Sequence, residues 1–373
     1  AATASGFVAK TWLNHMPPFP ALIATRIAET FADTWLNMLS GYRRFLMAPL
    51  LAALGIGLCA VGVVRAAQRR AVNWPMAIGG AWVMGGTIAT SLLYTAGWHY
   101  SRYAVQFVAL LTVLGFCAAC ALAVHFIRNR RTALIVCAVV LGLGTLPTTA
   151  YAWRSFLDST LITRDQQMAM ALWLRENTPH EARVGVADVG LLRYLSDRYT
   201  FDLVGLTTPH MALPGRNYSG SIYEQLERDP HRPDYFATYL NLYGMSYFEQ
   251  TNLFAELVGR YPVPEIPTIV MASAGEQHIY KADWSLLNSG DALYQPDVIA
   301  RLAGLKLVDA LDVADLQAEQ AHAYRWWLAQ DHGGYPTEAK QLTYRHPSDR
   351  VVMDGGRMIT GGEEMTVHGR ANE

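Results

Sequence analysis

The chain has 373 residues, 51% of them hydrophobic, and a formal net charge of −1, which leaves room for two domains or more. Those averages hide an asymmetry: Arg43–Trp153 contains no Asp or Glu, whereas Trp153–Glu373 carries 19 Lys plus Arg against 29 Asp plus Glu, a balance of −10. An acidic half argues against a nucleic-acid partner, which needs a basic face, and without a cysteine that half holds no disulfide.

The amino-terminal stretch Ala1–Lys10 has neither a basic n-region nor an apolar h-region and begins with Ala, so we expect the carboxy-terminal part of a longer membrane protein. Residues 1–42 read as an outer loop with an interfacial helix. Trp12–Pro20 is irregular and proline-rich. In residues 21–40, Leu22, Ile23, Ile27, Phe31, Trp35 and Leu39 recur at helical spacing, which suits a helix lying at a membrane surface or packed on a soluble neighbour.

Residues 43–152 carry only arginines as charges, and these separate four uncharged apolar runs at 46–64, 73–94, 104–126 and 132–152. A helix needs about 20 residues to cross the hydrocarbon core, so the expectation is four transmembrane helices. Three arginines (Arg65, Arg69, Arg70) follow the first run and three (Arg128, Arg130, Arg131) follow the third, against the single Arg102 after the second. The positive-inside rule puts the two arginine-rich loops in the cytoplasm and residues 153–373 outside the cell's inner (plasma) membrane. Cys59, Cys117, Cys120 and Cys137 all fall within the runs; Cys117-x-x-Cys120 copies a redox or zinc spacing, yet mid-helix it reads as small apolar packing.

Residues 153–373 read as an α/β domain with a β-rich carboxy-terminal tail. Asp165–Asn177 is expected as a helix capped by Asp165. Arg183–Asp188 and Tyr199–Val204 are expected as strands around a short helix at Gly190–Ser196. Ser221–Arg228 and Pro233–Leu242 look helical, Met245–Gln250 extended, Thr268–Ala272 and Gln277–Ala282 extended, Pro296–Gly304 and Asp315–Gln330 helical. Asp349–Val367 reads as strand, turn, strand, with Asp354-Gly355-Gly356 and Gly361-Gly362 as turns.

Two constellations are candidates for chemistry. His99, Arg102 and Tyr103 sit at the outer tip between the second and third runs, where a lone Arg beside a His suits a lipid phosphate or merely an aromatic belt. Asp188 and Asp202 close two expected strands, where α/β sheets place their sites; they can serve an acceptor or cap the following turns. The histidines of residues 153–373 form no H-x-x-x-H or Cys/His pair, and no P-loop, G-x-S-x-G or G-x-G-x-x-G occurs, so the cofactor stays open, a divalent metal included. His322–Trp327 is aromatic enough for a sugar platform, although packing against the sheet is the commoner use.

Residues 171–209 resemble a segment of bacterial multi-spanning glycosyltransferases of the GT-C type, the arabinofuranosyl- and mannosyltransferase-like enzymes. The resemblance rests on Trp173, Leu174, Pro179 and Ala182, on Asp188, Gly190 and Tyr194, and on Asp202, Gly205 and Leu206, with His99, Arg102 and Tyr103 similar to the motif that opens a late membrane helix. It covers roughly residues 85–210 and implies an enzyme that moves a sugar from a polyprenyl-phosphate donor to a cell-envelope glycan or lipid. It also implies a catalytic acid in a first outer loop, and no residue of this chain matches one. The catalytic residue is therefore unassigned. His99, Arg102 and Tyr103 are expected at the donor's lipid phosphate, and Asp188 and Asp202 on the acceptor side or in a structural role. The alternative is a non-enzymatic membrane-anchored receptor with a sugar- or peptide-binding outer domain.

Overall fold

The computed structural model describes residues 24, 28, 47–68, 74–91, 103, 105–263, 275–291, 296–306, 308–327, 339–345, 351–357 and 362–366. They fall into two units that divide at Thr160 and Leu161, a few residues beyond the expected boundary at 152. The interfacial helix expected near residues 21–40 and the strand at Thr268–Ala272 lie outside the described residues.

In the first unit the uncharged runs are helical: α1 (Met47–Ala67), α2 (Trp74–Ser91), α3 (Val105–Phe126) and α4 (Arg130–Ile162). Among the described residues, two stretches are long and apolar enough to cross a membrane, Ala109–Phe126 and Arg130–Asn177, and Ala53–Gly62 is a shorter apolar helix. Only 17% of the residues in each long apolar window are buried, so apolar side chains such as Val113, Ile135 and Leu143 stay exposed. Hydroxyls along α2 and α4 are satisfied locally, Thr87 donating to Val83 O at 2.8 Å and Thr149 to Thr145 O at 3.1 Å, the usual way to carry a hydroxyl in an apolar helix.

Small residues let α1 and α3 meet closely. A Cβ on Gly55 would stand 2.7 Å from the Leu111 carbonyl oxygen, and one on Gly115 would run into the Leu51 carbonyl. Contact of this kind suits helices whose cohesion comes from packing. Leu51, Cys137 and Leu141 form a small core with Phe116, Ala119, Cys120 and Ala123. Cys120 pairs not with Cys117 but across to α4, its Sγ 3.4 Å from that of Cys137, consistent with packing cysteines.

The second unit is built on a five-stranded sheet in the order β2-β1-β3-β5-β4, with β1 (Arg183–Val186), β2 (Tyr199–Asp202), β3 (Tyr235–Thr238), β4 (Phe254–Pro262) and β5 (Glu276–Ala282). β1 is parallel to both β2 and β3, while β5 is antiparallel to β3 and β4. Helices α5 (Ala169–Asn177) and α6 (Val189–Ser196) cover one face through Met170, Leu174 and Leu192 against Val184, Val186, Ala237 and Ile279. α7 (Tyr218–Arg228) covers the other with Ile222, Tyr223 and Leu226 against Phe201, Phe236, Phe254 and Tyr280. The hairpin of β7 (Ala339–Arg345) and β8 (Val351–Arg357) packs on α7, and β6 (Arg325–Trp327) pairs with β9 (Gly362–Glu364).

Several expectations are corrected. Asp165 caps nothing: α4 runs into a π-turn at Thr163–Met168, which leads directly into α5. Residues 235–238 are a strand, not a helix, because Phe236 and Ala237 are buried on opposite faces and leave no helical period to read. Ser246–Gln250 is one helical turn, α8, not a strand. The helix expected over Asp315–Gln330 is only Leu316–Ala321, since Ala323 adopts φ 49° and the chain then extends into β6. Asp354-Gly355-Gly356 lies within β8 and forms no turn. The helix at 296–302 (α9, Pro296–Leu302) is present, and Leu316–Ala321 is α10.

One buried cation holds the α5–α6 corner together. Arg198 is buried, and its guanidinium donates to Arg175 O at 2.6 Å, Thr178 O at 2.8 Å, Ser196 O at 3.1 Å and Thr178 Oγ1 at 3.1 Å. These acceptors lie at the carboxy ends of both helices, where the backbone carries negative partial charge.

Candidate functional site

The carboxy edge of the parallel strands holds both aspartates expected there, in different roles. Asp202 is buried and works as a cap: Oδ1 accepts from the backbone N–H groups of Val204 at 2.9 Å and Gly205 at 3.1 Å, and Oδ2 from those of Thr207 at 2.8 Å. That is the structural role. Asp188, half-buried after β1, makes no capping bond to α6. Its Oδ2 instead accepts from the Tyr239 hydroxyl at 2.8 Å and from the carboxamides of Gln167 and Gln277, each at 3.3 Å.

Of the outer-tip residues, His99 and Arg102 lie outside the described residues. Tyr103 is described, its carbonyl accepting from Gln106 Nε2 at 3.2 Å. His322 is bound on both sides, Nδ1 2.7 Å from Ala318 O and Nε2 2.9 Å from Asp309 Oδ1, and Arg325–Trp327 is the strand β6.

The cluster that the sequence concealed lies between α7, β8 and the loop before α10. Glu224, Asp312 and Asp354 bring carboxylate oxygens within 4.8 Å of one another, the one set among the described residues that can hold a metal ion. They line a cavity of about 490 Å³ together with Glu227, Asp291, Arg228 and Asn288. The fold supplies the frame. Gly355 N–H donates to Glu224 Oε1 at 2.8 Å and to Asp354 Oδ1 at 2.9 Å. A side chain at 355 would collide with the Glu224 carboxylate, so glycine is what permits this approach. Glu227 Oε1 accepts from Tyr223 OH at 3.0 Å and Asn288 N at 2.5 Å, while Arg228 is drawn off into an ion pair with Asp315.

With few cations close by, burial and mutual repulsion shift these acids upward, favouring their protonated forms. Burial, then Asp312 and Asp354, push Glu224 up to about 10. Burial and Asp312 push Asp354 up to about 7, and burial raises Asp312 and Glu227 as well. Three carboxyls at this spacing need either shared protons or a cation, and a hard divalent ion with oxygen ligands suits the donor set. Sequence reading missed the set because its members are 88 and 42 residues apart along the chain (224, 312, 354). The one available signal was the Asp354-Gly355-Gly356 run, and it suggested a turn.

Residues 157–301 match a family described as a Domain of unknown function (DUF8728). No curated protein and no solved structure matches the chain.

Proposed function

We propose that the chain belongs to an integral membrane glycosyltransferase that moves a sugar from a polyprenyl-phosphate donor to a cell-envelope glycan or lipid outside the cytoplasm. The observation that carries this reading is the pairing, in one chain, of helices built on long charge-free apolar runs with exposed side chains and an acidic α/β domain that has a polar carboxy edge. Four spans fit the arginine pattern, and the segment resembling GT-C enzymes falls within the sheet domain.

Chemically, a carboxylate base takes the acceptor hydroxyl's proton while the lipid phosphate leaves. His99, Arg102 and Tyr103 are the residues proposed to steady that phosphate. The base itself is assigned to no residue. Should the reaction use a divalent ion, Glu224, Asp312 and Asp354 are the described residues fit to hold one.

The test is transfer by the full-length protein, reconstituted in vesicles with radiolabelled polyprenyl-phosphate arabinose or mannose and cell-envelope acceptor. Labelled glycan or lipid is the expected product; no transfer from any such donor rules the reading out. The roughly 490 Å³ acidic cavity favours one second reading, a membrane-anchored receptor. In that case the same preparation binds a ligand in a manner abolished by Asp354→Asn, yet transfers nothing.

A further inference from the structure

We propose that His322 is a proton-operated latch on one wall of the acidic cavity, closed while its ring carries two protons and released when one is lost. The wall is residues 310–313, where Ala310, Leu311, Asp312 and Val313 all line the cavity. These four residues run between two anchors of different chemistry.

The downstream anchor is built on backbone groups, a hydroxyl and arginine-held carboxylates. Ala314 N–H donates to Glu319 Oε1 at 2.9 Å, and the Ala314 carbonyl accepts from the Ser221 hydroxyl at 2.8 Å. Asp315 accepts from Gln317 N at 2.8 Å to cap α10, and pairs with Arg228. Glu319 is itself held by Arg357, Oε2 accepting from Nη2 at 2.8 Å. Arginine stays charged in proteins, so this end of the wall has no proton switch on its cations.

The upstream anchor is Asp309, and an imidazole holds it. Asp309 Oδ1 accepts from Ala310 N at 3.1 Å, which ties the carboxylate to the start of the wall, and lies 2.9 Å from His322 Nε2. Across the ring, Nδ1 lies 2.7 Å from the Ala318 carbonyl, which also accepts the His322 backbone N–H at 3.1 Å. An oxygen therefore faces each ring nitrogen. A neutral imidazole has a single N–H: it satisfies one of these oxygens and turns a lone pair on the other. The imidazolium satisfies both. His322 is only 6% exposed, which leaves water little room to replace a lost bond.

The charged groups described on the elements around His322 are Asp309 on the loop, Glu319 on α10, Arg357 on β8 and the exposed Glu364 on β9. Glu319 and Arg357 face each other, and Thr366 reaches the His322 backbone, its N–H donating to the carbonyl at 2.8 Å. The Ala318 carbonyl and then the Asp309 carboxylate push His322 above its ordinary value of 6.5. A raised folded value means that the latch is complete below pH 6.5 and is lost as pH rises through that higher value. Asp354, pushed up to about 7, gives up its proton in the same direction. The cavity thus gains negative charge as its wall comes loose, which favours entry of a cation in mild alkali and closure in acid. The latch goes with the cavity and holds whether the chain is a transferase or a receptor.

The test is hydrogen exchange by mass spectrometry on the full chain in detergent from pH 6 to 9, corrected for base-catalysed exchange. Protection of the peptide spanning residues 309–315 is expected to fall about tenfold, the equivalent of one charge-assisted hydrogen bond, while that of β1 holds. The midpoint should lie above 6.5 in the parent, move down in the isosteric Asp309→Asn, and vanish in His322→Gln, whose peptide is poorly protected throughout. Protection that ignores pH in the parent, an unchanged midpoint in Asp309→Asn, or a fall that survives in His322→Gln overturns the inference.

Discussion

Arg198 and Glu224 show how differently a buried charge-bearing residue can be accommodated. Arg198 is met by the carboxy ends of two helices, which face it with backbone oxygens. Replacing it with Met leaves those carbonyls unpaired and is expected to cost about 2–4 kcal/mol, read from the urea midpoint of the detergent-solubilised chain; Arg198→Lys, which cannot reach both helix ends at once, is expected to recover only part of it. Glu224 gives up its charge instead. Its folded pKa, about 10, lies above its ordinary value of 4.5, so the folded state holds this proton more tightly. Stability from this carboxyl is complete below about pH 4.5 and is lost as pH rises towards 10, with Asp354 adding to the loss through about pH 7. The melting temperature of the sheet domain should therefore fall between pH 6 and 9. Glu224→Gln should flatten that fall and gain about 1 kcal/mol or more at pH 8, about 2–4 °C per kcal/mol. A variant with the same pH slope as the parent would show that Glu224 is ionised in the folded protein.

At the scale of elements, glycine decides how α1 meets α3, and cysteine reports how α3 meets α4. Gly115→Leu has no room at the Leu51 carbonyl and should separate the helices at a cost of about 1–3 kcal/mol; the measurement is thermal aggregation in detergent, where an unchanged midpoint would deny the contact. The 3.4 Å approach of Cys120 and Cys137 predicts that a mild oxidant such as copper phenanthroline joins these two sulfurs, and that Cys117 does not cross-link to Cys137, as read by mass spectrometry of the digest. Where helix and strand differ from the sequence expectation, the segments are short: residues 235–238 are buried on both faces of the sheet, and residues 246–250 bury only Phe248. Residues 235–238 and 246–250 each place an aromatic in the core next to residues used elsewhere. A period cannot be recognised in four or five residues, so their state was decided by neighbours that the linear chain does not show.

For the whole molecule, the arginine pattern carries a prediction about sidedness. A cysteine introduced at the exposed Glu256, in a background with Cys59, Cys117, Cys120 and Cys137 replaced, is expected to react with a membrane-impermeant maleimide on intact cells once any outer barrier is permeabilised. Protection until the inner membrane is lysed would invert the topology. What the chain alone determined are the properties that accumulate over many residues: the charge-free apolar runs, the acidic second half and the α/β character of residues 183–204, because charge exclusion and periodicity add up locally. Asp188 and Asp202 were both legible as strand-end acids, yet only packing separated them, turning Asp202 into a cap and setting Asp188 among Tyr239, Gln167 and Gln277. The acidic cavity was legible nowhere. Glu224 comes from a helix, Asp312 from a loop and Asp354 from a strand, and carboxylates acquire a shared proton or a cation only when the fold has already brought them together and taken away their water.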